Sequence, residues 1–292
     1  MQNPDILTAI ANGDFHRPGA LRCAQLFSLE PTFFERLRSD VARLVVDNLP
    51  SEVADEHHVT NWTKPYGRAI QFSLLNGSGD LSDTSVDHDR SVYGKRFHHA
   101  ATYPALGELI GLFPHAVNMR LNGMSPSGGL SPHEEHLAWR KGRRYYFRAR
   151  FHLPIETNPG AEVLLDGDLL HLEAGNIYFF NNGCIHAASN TGDTQRFHLV
   201  WDMLLSDETL ELMFGEGSHG PLLRTPPEQR AVPVRRSVGV DAYQISGPGA
   251  ILYQALHLGA LGITPHAWQN RFNDARYAFF KAVGRPTPAP VQ

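Results

Sequence analysis

Cysteine is scarce: Cys23 and Cys184 are the only two in 292 residues. Neither a disulfide framework nor a thiolate metal cluster can therefore organise this chain. A long apolar run is also missing, since "GAILYQALHLGALGI" is too short to span a bilayer, and the opening "MQNPDILTAIANGDF" carries acidic residues where a signal peptide would be apolar. These absences predict a cytoplasmic protein with no membrane contact. Positive charge is not in excess either, because 26 Lys and Arg stand against 30 Asp and Glu, for a formal net charge of -4. A nucleic-acid binder needs surplus cations to neutralise phosphates, so no nucleic-acid partner is expected. What the chain does have is 16 histidines, a much larger pool of metal ligands than its thiols.

With 42% hydrophobic and 19% charged residues, the chain can bury one large core plus an appendage. The spacing predicts a helix over 31–49, with Phe34, Leu37, Val41 and Val45 on one face, a strand over 66–77 and a short helix over 103–113. Strands are then expected at 115–124, 145–156, 161–165, 168–172, 176–182 and 196–204. "GEGSHGPLLRTPPEQRAVPVRRSVGV" reads as a linker rich in Pro, Gly and Arg, followed by helices over 248–259 and 265–284 and an irregular "PTPAP" tail. The expected fold is mainly β with flanking helices, divided into a β-rich unit over 1–205 and a linker with helical extension over 206–292. The C-terminal helices are expected either to cover the barrel or to build a homodimer.

The richest stretch is "SPHEEH". If it is extended, His133 and Glu135 point one way while Glu134 and His136 point the other, so one histidine and one carboxylate can chelate together. Joined by a distant histidine, they form the facial triad of non-haem Fe(II) sites, which leaves positions open for co-substrate and oxygen. The third ligand is expected to be His186 in "FFNNGCIHAASN", placed in a turn after a strand. Arg196 follows ten residues later at the start of "RFHLVWDM", where its planar fork can enter the same cavity and bind a carboxylate such as the distal end of 2-oxoglutarate. On that strand Phe197, Leu199 and Trp201 alternate with Arg196, His198 and Val200, predicting a polar inside and an apolar face toward helices.

"PHEEH", "RFHLPIETNP" and "LEAGNIYFFNNGCIHAASNTGDTQRFHLVWD" resemble the aspartyl/asparaginyl β-hydroxylase and proline-hydroxylase branch of Fe(II)/2-oxoglutarate oxygenases, over about residues 117–204. The resemblance implies a double-stranded β-helix, or cupin-like jelly roll, with N-terminal helices. It implies Fe(II), 2-oxoglutarate and O2, with iron ligands His133, Glu135 and His186 and co-substrate contacts from Arg196, Arg150, His152 and Asn122. Two features depart from the branch: Glu135 stands where proline-type members carry aspartate, and "LAWRKGRRYYFRA" is longer than its counterpart in the aspartyl branch.

The implied reaction is hydroxylation of an amino acid, free or within a peptide or tethered conjugate. The alternatives are a non-oxidative metal-dependent cupin enzyme and a catalytically inactive cupin binding module. Trp139, Arg140, Arg143, Arg144 and Tyr145 are candidates for the cavity rim, suited to a small carboxylate-bearing substrate, although a solvated charged turn is the plainer reading of the basic run. His88, His98, His99 and His171 are expected to be structural.

Overall fold

From residue 116 onward apolar and polar positions alternate, and strands follow one another. The computed structural model describes residues 22–48, 50–52, 69–83, 95–133, 138–141, 144–182, 184, 186–215, 220–225, 230–237 and 248–263, with positions 268, 272, 275, 279 and 283. At 51–52, 131–133, 138–141, 144–147, 230–231, 248 and 250 the description is of backbone alone.

In chain order the elements are β1 (Cys23–Leu29), α1 (Pro31–Asp47), β2 (Ser51–Glu52), β3 (Ala69–Ser73), α2 (Pro104–Gly111), β4 (Ala116–Met124), β5 (Gly128–His133) and β6 (Ala138–Lys141). There follow β7 (Arg144–Glu156), β8 (Ala161–Leu165), β9 (Asp168–Leu170), β10 (Asn176–Phe180), β11 (His186–Asn190) and β12 (Arg196–Leu204). The last are α3 (Asp207–Phe214), β13 (Leu223–Arg224), β14 (Arg230–Ala231), β15 (Val234–Ser237), α4 (Pro248–Ala255) and a 3-10 turn at Leu258–Leu261.

Two antiparallel sheets result. The larger runs β13-β1-β10-β7-β12-β4-β3-β2, with β14 on β1 and β6 on β7, and the smaller runs β15-β9-β8-β11-β5. From β4 to β12 the chain passes back and forth between the sheets, so that β12 lies between β7 and β4 while β11 lies between β8 and β5. That order defines the double-stranded β-helix, and the expected fold class is what the structure has. The tight β8–β9 hairpin turns at Asp166 and Gly167, both at positive φ (52 and 94), the conformation a two-residue Asp-Gly connection favours.

Each face of the large sheet has its own partner. Phe151, Leu153, Leu199, Trp201 and Met203 pack outward against Phe33, Leu37 and Leu44 of α1, Leu106 of α2 and Phe214 of α3. Trp201 is fully buried, with ring centroids 5.7 Å from Phe151 and 4.8 Å from Phe113; such a side chain contributes about 1.5–3 kcal/mol through burial. Between the sheets a smaller apolar cluster holds Cys23, Met124, Leu165, Tyr178, Phe180, Cys184 and Ala188.

Helix α1 begins where Glu30 accepts the backbone N–H of Phe33 at 2.8 Å and Pro31 occupies the first turn. Its buried stripe is Phe33, Leu37, Val41 and Leu44, with Phe34 and Val45 at the margin, so the expected face is rotated by about one residue. Asp40 shares that stripe. Its carboxylate accepts the N–H groups of Ala105 and Leu106 at 2.7 and 3.2 Å and so caps the start of α2.

Several expectations need correction. The stretch read as a linker supplies β13 and β14 to the edge of the large sheet and β15 to the small one. These strands are short, and β15 is exposed along its length, so no burial period marks them. Strand β1 was not foreseen because a register shift between Gln25 and Phe27 breaks its alternation. The helix expected over 248–259 ends at Ala255, while the described positions 268, 272, 275 and 279 of the 265–284 segment are helical. The "PTPAP" tail and residues 66–68 lie outside the described residues. No helix among the described residues is long and apolar enough to cross a membrane.

Candidate active site

The inner face of the large sheet is polar where a buried strand face is ordinarily apolar. On β12 Arg196, His198 and Asp202 are 5%, 2% and 0% exposed. β7 adds Arg148, Arg150 and His152, and β4 adds Asn118 and Asn122. Register explains the gathering: Asn122 lies opposite His198, His152 opposite Val200, and Arg150 and Asn118 opposite Asp202. Directly opposed residues share a face, so the alternation visible in "RFHLVWD" places all these groups inside.

His186 is the first residue of β11, not part of a turn as expected; the small residues of "HAASN" and burial along the whole strand hide its period. The pairing sets it opposite His133, the last residue of β5, and opposite Leu165. Its Nδ1 lies 2.9 Å from the carbonyl oxygen of Cys184. A carbonyl accepts only, so Nδ1 carries the proton and the lone pair sits on Nε2, the tautomer a metal ligand needs.

Arg196 is held by burial at a pKa pushed down to about 10 and so stays charged at neutral pH. Its Nη2 meets His198 Nδ1 at 3.2 Å, while its Nε and Nη1 are buried without a hydrogen-bond partner among the described residues. His198 Nε2, both ring nitrogens of His152, and Asn122 Oδ1 are in the same condition. His152 lies within the electrostatic reach of Arg150, Arg196 and His186 at once; burial first, then those three groups, push its pKa well below the ordinary imidazole value. His198 is likewise kept neutral, by burial and then by Arg196 and two other histidines.

Arg150 is engaged with Asp202, a partner the sequence did not suggest. Its Nε lies 2.8 Å from Oδ1 and its Nη2 3.1 Å from Oδ2. Arg148 and Asn118 also donate to Asp202 Oδ2. The signal for this cluster was present in two alternations, Arg148-x-Arg150-x-His152 and Arg196-x-His198-x-Val200-x-Asp202.

Glu135, Arg143, Glu134, His136 and His88 lie outside the described residues. Trp139, Arg140, Arg144 and Tyr145 belong to the backbone hairpin of β6 and β7, in which Arg140 opposes Tyr145 and Lys141 opposes Arg144. Arg140, Lys141 and Arg144 of the basic run thus lie on paired backbone that prolongs the strand carrying Arg148 and Arg150. His98, His99 and His171 each bond a backbone carbonyl, of Asn76, Gly79 and Ala161, which is the structural role expected of them.

Residues 91–205 match the model of the Aspartyl/Asparaginyl beta-hydroxylase family, so the resemblance read from the motifs is borne out over that segment. L-proline cis-3-hydroxylase 1 of Streptomyces sp. is 25% identical over 171 residues, which make up 58% of this chain and 56% of the relative. The chain thus spans about half the length of the curated relative it matches. Among solved structures, a Pseudomonas putida prolyl-4-hydroxylase aligns at a TM-score of 0.36 and 14% identity, over 68% of this chain and 98% of that one. The non-haem alpha ketoglutarate dependent epimerase SnoN from nogalamycin biosynthesis aligns at 0.40 and 13%, over 80% and 99%.

Proposed function

We propose that this protein is an Fe(II)/2-oxoglutarate-dependent dioxygenase that hydroxylates an amino acid or an amino-acid-derived substrate. The observation that carries the reading is the buried, charged Arg196, with two guanidinium nitrogens lacking partners among the described residues, on the inner face of a jelly roll whose other sheet opposes His186 and His133. The family match over 91–205 and the proline hydroxylase relative support it.

The residues fit the groups the reading requires. His186, with its lone pair on Nε2, His133 across the strand pair from it, and Glu135 would hold the iron; imidazole and carboxylate suit Fe(II). Arg196 would bind the distal carboxylate of 2-oxoglutarate, with His152 and Asn122 offering further polar atoms to the co-substrate. Arg150 would contribute through its placement by Asp202. Bound together, iron, 2-oxoglutarate and O2 supply a two-electron oxidation in which a C–H bond becomes C–OH while 2-oxoglutarate becomes succinate and CO2. The chain's own part is to orient one substrate C–H bond and to exclude water, for which Phe180 and Met124 supply buried apolar surface between the sheets.

For the substrate, Trp139, Arg140, Arg143, Arg144 and Tyr145 would line the rim and receive a carboxylate and an apolar portion. Cys23 and Cys184 are both buried as thiols, which suits a reducing cytoplasm. The test is aerobic incubation of the full chain with Fe(II), ascorbate, 2-oxoglutarate and a panel of amino acids. Succinate formation coupled to a one-oxygen mass gain on one of them is expected. No turnover of 2-oxoglutarate with any substrate, despite bound metal, would return the protein to the non-oxidative cupin or the inactive binding module.

A further inference from the structure

We propose that His198 is a second donor to the distal carboxylate of the co-substrate, standing beside Arg196 as a neutral, Nε2-protonated imidazole. This rests on the reading of Arg196 as the 2-oxoglutarate anchor and adds a residue that neither the motifs nor the relatives assign. The tautomer follows from the contact itself. Arg196 Nη2 can only donate, so His198 Nδ1, 3.2 Å away, accepts, and the ring proton resides on Nε2. That Nε2 is buried without a hydrogen-bond partner among the described residues, as are Nε and Nη1 of Arg196. Buried donors are almost always matched by acceptors, so these three on one strand face make a recognition surface for an anion.

The charge balance favours a carboxylate. One guanidinium and one uncharged donor match a single negative charge, whereas two cations at this depth would repel each other and cost desolvation twice. Burial and the neighbouring Arg196 keep the imidazole neutral, so it adds a hydrogen bond without adding charge. The consequence is selectivity for a 2-oxo acid with a distal carboxylate over one without.

The experiment is calorimetric titration of the full chain, with Mn(II) in place of iron, by 2-oxoglutarate and by 2-oxobutyrate, which lacks the distal carboxylate. His198→Leu is expected to weaken 2-oxoglutarate by on the order of tenfold or more, as loss of a hydrogen bond to a charged group does. His198→Gln, which keeps a donor near the ε position, is expected to stay within a few fold, and neither change should alter 2-oxobutyrate. If native protein binds 2-oxoglutarate and Arg196→Met weakens it while His198→Leu binds as native does, the His198 assignment is overturned and the dioxygenase reading stands. If native protein does not bind 2-oxoglutarate at all, both fall. Should His198→Leu fail to fold, His198→Asn, whose amide reaches only the δ position, replaces it in the comparison with His198→Gln, and equal affinity of the two overturns the proposal.

Discussion

Asp202 and Arg150 form a bidentate ion pair across the β7–β12 ladder, with Arg150 Nε 2.8 Å from Asp202 Oδ1 and both side chains under a tenth exposed. Arg148 shares the same carboxylate. One negative charge therefore positions two buried arginines. Asp202→Leu leaves both cations without it, and breaking such a pair costs about 3–5 kcal/mol of stability. Urea denaturation of the variant measures this, and a loss near zero would mean that the arginines find other partners.

His133→Ala and His186→Ala should each abolish Fe(II) binding and turnover, since a three-ligand site loses much of its affinity with one imidazole, whereas Glu135→Ala keeps part of the activity. Metal analysis of the purified double variant decides the matter: stoichiometric, tightly held iron in it would remove both histidines from the site.

Arg196 and Arg144 are assigned to co-substrate and substrate respectively, and kinetics should separate them. Removing a desolvated charge partner costs roughly 2–5 kcal/mol. Arg196→Ala is expected to raise the KM for 2-oxoglutarate far more than Arg144→Ala does. An unchanged KM in the Arg196 variant defeats its role.

Stability should fall on acidification, and the sign follows from His198. Its folded pKa is depressed, while in the unfolded chain an imidazole titrates at about 6.5. Between the two values the unfolded state binds more protons. The contribution is therefore complete above about pH 6.5 and is lost as pH drops toward the folded value, by ~1.4 kcal/mol per pH unit for one such group. Urea midpoints recorded from about pH 7 to about pH 5 should decline, and His198→Gln should flatten the slope. Parallel slopes for native and variant would show that other groups govern the acid limb.

The β6–β7 hairpin is tested by coupling. Alanine at Arg140, Arg143 or Arg144, one at a time, should in at least one case lose substrate hydroxylation while uncoupled 2-oxoglutarate consumption persists. Wild-type coupling in all three variants would make the hairpin a solvated ornament of the barrel.

Local pattern determined a good deal of this protein. The strands at 145–156, 161–165 and 196–204 were legible because their residues alternate or are bounded by turn signals, and α1 because its apolar residues recur at helical spacing. The Arg196, His198 and Val200 face was legible in the same way, since a strand's side chains point to opposite faces by geometry alone. The order of ligand, turn and arginine in the 172–202 stretch carried the family resemblance without any knowledge of contacts.

Only the tertiary structure decided which of those inward groups are satisfied by one another. Asp202 and Arg150 are 52 positions apart, and nothing local says that this carboxylate occupies Arg150 and Arg148 while Arg196 keeps donors without partners among the described residues. β11 was invisible because a strand buried on both faces loses its two-residue period, and β13 to β15 because strands of two to four residues have almost none to show. The opposition of His133 and His186 is likewise a property of strand register between distant segments. Side-chain alternation is written into each strand's covalent geometry, but register is chosen by the packing of the whole sandwich, and it is register that turns two inward-facing polar stripes into a site.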